Sequence, residues 1–224
     1  KGPQGTLFGQ NSTGGAVNFI AAKPTSTFQA GIDGTLARFG AVNLNGFVSG
    51  PVNDTLSARL SFNADAGGAW QRSYTRDAVL GTKRFQSGRL LLDWQPVDGL
   101  SALISVSAWR DRSDTQVGQL TGFPRPVTLT NPGSNVPPMI ANRILSYPIG
   151  PRDARSADWG PGNPRADEHF VQAAVTVNYD LSPSTTLTSI SAYSDYSRNN
   201  GYELDGLDFE NSLTVVVGDS RTFF

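Results

Sequence analysis

The stretch Gly9 to Ala16, GQNSTGGA, comes close to the phosphate-loop pattern G-x-x-x-x-G-K-[ST]. Gly15 stands where the phosphate-binding lysine belongs, and Ala16 where the metal-binding hydroxyl belongs. A strand should precede such a loop and a helix should follow it, yet AVNFIAA leaves too few residues for a helix before Pro24. Nucleotide binding is rejected. Nucleophilic catalysis would have to run through His169, the only histidine, and the chain has no G-x-S-x-G elbow. The chain contains no cysteine, which excludes disulfides and thiolate metal sites, and a zinc site lacks ligands. The remaining titratable cluster is YELDGLDFEN, Tyr202 to Asn211, with Glu203, Asp205, Asp208 and Glu210. It does not match the Ca²⁺ loop D-x-[DN]-x-[DN]-G, and it reads as a solvated loop face, with an ion or ligand site as the alternative. The residues therefore point away from an enzyme: no catalytic set, no cofactor site and no metal site is expected.

Composition narrows the class further. A net charge of −1 over 224 residues argues against a nucleic-acid footprint. No run of 18 apolar residues is present to form a membrane helix. The chain begins at Lys1 without a signal peptide and ends on SRTFF, and reads as an internal stretch of a longer protein.

The elements are set by period two. In TLSARLSFNAD, Leu56, Ala58, Leu60, Phe62 and Ala64 fall on one face, and Thr55, Ser57, Arg59, Ser61, Asn63 and Asp65 on the other. The same alternation places Val42, Leu44 and Val48 together, then Leu90, Leu92 and Trp94, then Leu100, Ala102, Ile104, Val106 and Ala108, then Val171, Ala173, Val175, Val177 and Tyr179. Leu103 and Trp109 break the rule. Ala30, Ile32 and Leu36 form a weaker row, and Thr185 to Tyr196 is a strand with mixed faces. About seven strands of roughly 10–14 residues are expected. Soluble strands are usually about 5–6 residues long, while a tilted bilayer crossing needs roughly 9–11.

Connections alternate in length. GPVNDT, QPVDG and DLSPST are tight turns. The opposite ends join through a loop near residues 67–83 and a long segment, 113–167, that holds nine of the 14 prolines. Long loops of this kind are functional or disordered, and FPRPV and NVPPM within it read as lid stiffeners or polyproline ligands. Short turns on one rim and elaborated loops on the other fit an up-and-down membrane barrel. Trp94 and Tyr179 beside the short turns, with Phe39 and Trp70 at the other ends, fit interfacial aromatic girdles; ordinary core and turn aromatics are the alternative.

KGPQGTLFGQNSTGGAVNFIAAKP resembles the end of the plug domain of TonB-dependent outer-membrane receptors. The residues that carry the likeness are Gly2, Pro3, Gln4, Gly5, Gly9, Gly14 and Gly15, supported by Lys1, Thr6, Leu7, Phe8, Asn11, Ala16, Val17, Asn18 and Pro24. Lys1 and Gln10 stand where arginine is common in the family. GPVNDTLSARLSF and LTSISAYSDY resemble barrel strands of the same family. The resemblance implies an all-β fold: a 22-strand antiparallel transmembrane barrel with the C-terminal end of the plug at 1–24 and the first barrel strands at 25–224. It implies a receptor in the outer membrane of a Gram-negative bacterium, driven by TonB through a plug box outside this stretch, surrounded by lipid. Its cargo would be a scarce ligand, with a ferric siderophore as default and carbohydrate, cobalamin or another metal complex as alternatives. Residues 1–224 alone would leave open sheet edges and aggregate. A secreted all-β adhesion or carbohydrate-binding module is the competing class. Ligand-contact residues are not identified, and the segment 113–167 is the expected place for contact or gating.

Overall fold

Alternating residues that are β-branched, aromatic or small favour extended backbone, and such runs recur along most of the chain. A computed structural model describes residues 20–122, 137–162, 164–209 and 213–223. It contains eleven strands: β1 (Gln29–Ala37), β2 (Ala41–Asn53), β3 (Leu56–Gly67), β4 (Gln71–Ser73), β5 (Val79–Leu80), β6 (Lys83–Val97), β7 (Leu100–Asp111), β8 (Ser156–Ala157), β9 (Glu168–Ser182), β10 (Thr185–Glu203) and β11 (Leu213–Phe223). One helix, α1 (Pro138–Leu145), starts on a proline, whose missing N–H costs nothing in a first helical turn. Eight strands form one sheet in the order β1-β2-β3-β6-β7-β9-β10-β11, every neighbour antiparallel. The sheet is open among the described residues, with β1 and β11 at its edges.

The fold is all-β, as the alternation predicts. The large sheet has eight long strands, one more than the expected seven or so, the extra one being β11. Its first half, LTVVVG, puts Val215, Val216 and Val217 in succession and so shows no alternation.

The tight turns are two residues each: Asp54–Thr55, Asp98–Gly99 and Pro183–Ser184. Asn53 Oδ1 accepts from the Thr55 N–H at 2.9 Å, so this asparagine sits in the turn for its side-chain acceptor. At the other rim, Arg38–Gly40 joins β1 to β2. There Phe39 has φ 61°, a left-handed conformation uncommon for a residue with a Cβ. Its carbonyl accepts from the Gly68 N–H at 2.9 Å, and its ring lies 4.8 Å from the Arg155 guanidinium carbon.

This sheet has almost no core of its own. Of the buried apolar side chains only Leu91 and Ala102 belong to it. Leu80, Val117, Ala141, Tyr147, Ala157, Trp159, Ala166 and Leu207 all lie in the connections of the long-loop rim. There β5, β4 and β8 make a second, three-stranded sheet, with β4 and β8 parallel, and Leu80, Val117, Ala157 and Trp159 pack together. The segment 113–167 thus supplies a helix, a strand and much of a core, where its sequence shows little periodicity.

Candidate functional site

The register gives the large sheet two unlike walls. One row crosses all eight strands as Ala30, Val48, Leu60, Leu90, Val106, Ala173, Tyr193 and Phe223. On the opposite face the neighbouring row reads Gly31, Phe47, Ser61, Arg89, Ser107, Gln172, Ser194 and Thr222. Among the described residues nothing covers the apolar wall: Ile32 is 71% exposed, Leu36 83% and Leu60 50%. It is nine residues tall on three strands, from Leu56 to Ala64, Leu100 to Ala108 and Val171 to Tyr179. Trp94 and Tyr179 stand at its short-turn end. The wall thins on β10, where Leu187 and Tyr193 share the apolar side with Ser189, Ser191 and Asp195 while Ile190 points to the polar side. Those mixed faces match the sequence.

The polar wall holds Arg59, Asn63 and Asp65 as the alternation predicts, and the register adds Arg89 and Asp93 to the same face. Asn63 and Asp65 are joined by a chain of hydrogen bonds through β2. Asn63 Nδ2 donates to Asn45 Oδ1 at 2.6 Å, Asn45 Nδ2 to Asn43 Oδ1 at 2.5 Å, and Asn43 to Asp65. Asp65 then meets Lys83 Nζ at 2.7 Å. Such a chain fixes side-chain orientation on a surface that meets polar matter. Arg59 stacks 3.9 Å over the Phe47 ring.

The same wall carries an aromatic cluster that the alternation alone does not assemble. Trp109 lies 6.0 Å from Phe85, 6.1 Å from Phe170 and 6.0 Å from Tyr196 between ring centroids. These rings come from β6, β7, β9 and β10 and are half-buried. Beside them runs a groove of about 440 Å³ lined by Ser61, Asn63, Ser87, Arg89, Trp109 and Phe170. Among the described residues Arg89 makes no ion pair. A flat aromatic surface flanked by hydroxyls, an amide and an arginine suits a ligand with ring faces and polar edges. The sequence signal was the break in alternation at Trp109.

Above the groove the loops interlock. Asp158 is fully buried and accepts from Ser73 Oγ at 2.9 Å, Thr75 Oγ1 at 2.5 Å and Tyr147 OH at 2.5 Å, with Arg76 Nη1 at 3.8 Å. Burial and the bond to Asp158 hold the Tyr147 phenol well above its ordinary range. Burial, with the charges of Asp158 and Asp208, pushes Tyr74 up to about 12. Gln71 binds Val117 twice, Nε2 to the carbonyl at 3.0 Å and Oε1 from the N–H at 3.2 Å, in the manner of a strand pair.

The acidic cluster is not the solvated face its composition suggests. Glu203 is 1% exposed and Leu207 is buried, because the loop folds back: Gly206, at φ 70°, would bring a Cβ within 3.0 Å of the Leu120 nitrogen. Asp205 lies beside Glu203, and its N–H donates to Glu203 Oε1 at 3.4 Å. Burial, with the adjacent Asp205 charge, pushes Glu203 up to about 7. A carboxyl raised above its ordinary 4.5 keeps a proton in the folded state that the unfolded chain releases. Its contribution is fully present below about 4.5 and is lost as pH rises through about 7. Hydrogen-exchange protection of residues 201–207 is therefore expected to fall across that window, and Glu203→Gln to flatten the fall. Equal protection on both sides in the unaltered protein would count against it.

His169 sits exposed at the start of β9, as a solvated boundary residue. The plug-like residues Gly2, Pro3, Gln4, Gly5, Gly9, Gly14 and Gly15 lie outside the described residues, as do Glu210, the motif FPRPV and the first two residues of NVPPM, whose last two residues open α1. No family model matches the chain, and no curated protein matches it either.

Proposed function

We propose that this chain forms part of the wall of a TonB-dependent outer-membrane receptor that takes up a scarce ligand. The observation that carries the reading is the uncovered apolar face. Monomeric soluble proteins rarely expose contiguous apolar patches beyond a few hundred Å². Here such a face runs across the sheet, is nine residues tall and is backed by a polar wall. Lipid outside and a polar lumen inside satisfy both walls at once. Short turns then face the periplasm and the interlocked loops the exterior.

The ligand would pass along the polar wall, near Trp109 and Arg89. A ferric siderophore remains the class that the plug-like residues imply, and TonB the energy-coupling partner. The role proposed is transport rather than catalysis. A secreted adhesion or carbohydrate-binding module would use the same groove, but it would need a second layer to cover Leu60, Leu90 and Val106.

Fractionation of cells expressing the full-length product tests the proposal. The protein is expected in the outer-membrane fraction, with a folded band that migrates differently from the boiled one. Recovery from the soluble fraction alone would overturn it.

A further inference from the structure

On β6, β7 and β9 the apolar wall does not fade out toward the long-loop rim; it gives way to basic side chains. Directly beyond Gly88, Ala108 and Val171, the next outward residues are Gln86, Arg110 and His169, paired in register. One step further come Arg84, Arg112 and Asp167, the Arg112 N–H donating to the Arg84 carbonyl at 2.9 Å. All three arginines are exposed. Asp167 is the one carboxylate among them, 3.3 Å from Arg110 Nη2 and 3.7 Å from Arg112 Nε. Arg84 has no ion pair among the described residues. Further along the same face, Asp195 is taken by Arg221 at 2.7 Å, and Asp219 lies on β11 beyond Ser197. The positive surplus is thus local to β6, β7 and the start of β9.

Resting on the membrane reading above, we infer that Arg84, Arg110 and Arg112 form a binding site for the phosphate groups of lipids in the surrounding leaflet. Each guanidinium offers five donors in a planar fork, and Asp167 engages only part of two of them. The remaining donors sit one to two residue pairs beyond the apolar band, at the depth where a headgroup phosphate meets hydrocarbon. Basic groups at that depth contribute roughly a five-fold gain in affinity each for an anionic surface. Among the described residues the opposite wall has no such row, so the site belongs to the lipid side and not to the ligand path.

The test uses the full-length product in detergent, titrated with phosphatidylcholine micelles alone, doped with phosphatidylglycerol, or doped with a bis-phosphorylated glycolipid. Lipid retained after gel filtration is the readout. Both lipids of net negative charge are expected to be retained over phosphatidylcholine, whose phosphate is neutralised by its own choline, and the stronger of the two identifies the natural source. Arg84→Gln/Arg110→Gln/Arg112→Gln should weaken retention on the order of 100-fold. A charge-matched control, Lys23→Gln/Arg72→Gln/Arg152→Gln, should change it little. Asp167→Asn, which frees two arginines, should tighten it, and this variant decides the matter if the triple one does not fold. Equal retention in the triple variant, or equal loss in the control, would overturn the inference. A protein that sits in the outer membrane without this preference refutes the phosphate site alone, whereas a soluble protein refutes the membrane reading.

Discussion

Leu60→Arg is expected to lower stability in a bilayer by about 2–4 kcal/mol, whereas Ser61→Arg, one residue along, should change it by about 1 kcal/mol or less. The two positions are adjacent on β3 and point to opposite walls. Leu60 is the middle residue of the nine from Leu56 to Ala64, in register with Val48, Leu90 and Val106. A guanidinium there would have to enter hydrocarbon or distort it. At Ser61 the neighbours are Arg89 and Phe47, on a face that already carries charge. In water the order would not hold: Leu60 is half-exposed, and a surface leucine exchanged for arginine usually costs under about 0.5 kcal/mol. Urea unfolding of the full-length product in vesicles measures the difference. Equal, small effects at both positions would rule out lipid on the apolar face.

Asp158→Ala is expected to be the most damaging single change in the loop layer, costing about 1–3 kcal/mol locally. Its carboxylate collects hydroxyls from Ser73, Thr75 and Tyr147 and stands beside the Arg76 guanidinium, all without access to water on its own side chain. Removing it strands these hydroxyl donors, while the exposed Arg76 keeps its bond to the Trp159 carbonyl. The same loss should let the Tyr147 phenol fall back toward its ordinary range, since the bond to Asp158 helps hold it up. Hydrogen exchange provides the readout. Amides at β5 and β8 should lose protection while those in the middle of β3, β6 and β7 keep theirs. Unchanged protection at Leu80 and Ala157 would mean that the layer does not depend on this carboxylate.

Much of the large sheet was legible from residues, because a strand's two faces are written in its own alternation. β3, β7 and β9 needed nothing else. β11 was missed since its three consecutive valines erase the period. Trp109 was visible only as an exception, and its meaning came from Phe85, Phe170 and Tyr196, which the register brings to it. Asp158 left no trace in sequence: Ser73 and Thr75 lie 85 and 83 residues away. The acidic loop misled because charge density predicts solvation only where the backbone stays outside, and Gly206 turns it inward.

The loop layer has a further consequence, one of order in time. Its bonds join distant parts of the chain: Gln71 to Val117 across 46 residues, Thr115 to Gly201 across 86 and Ser73 to Asp158 across 85. Closing such loops one by one in a free chain is entropically costly, whereas hairpins with two-residue turns close at once. The hairpins must align first, and their alignment then delivers the loop partners to one another. The small apolar core around Leu80 and Trp159 is thus the last thing to form, and its formation records that every strand beneath it has found its place.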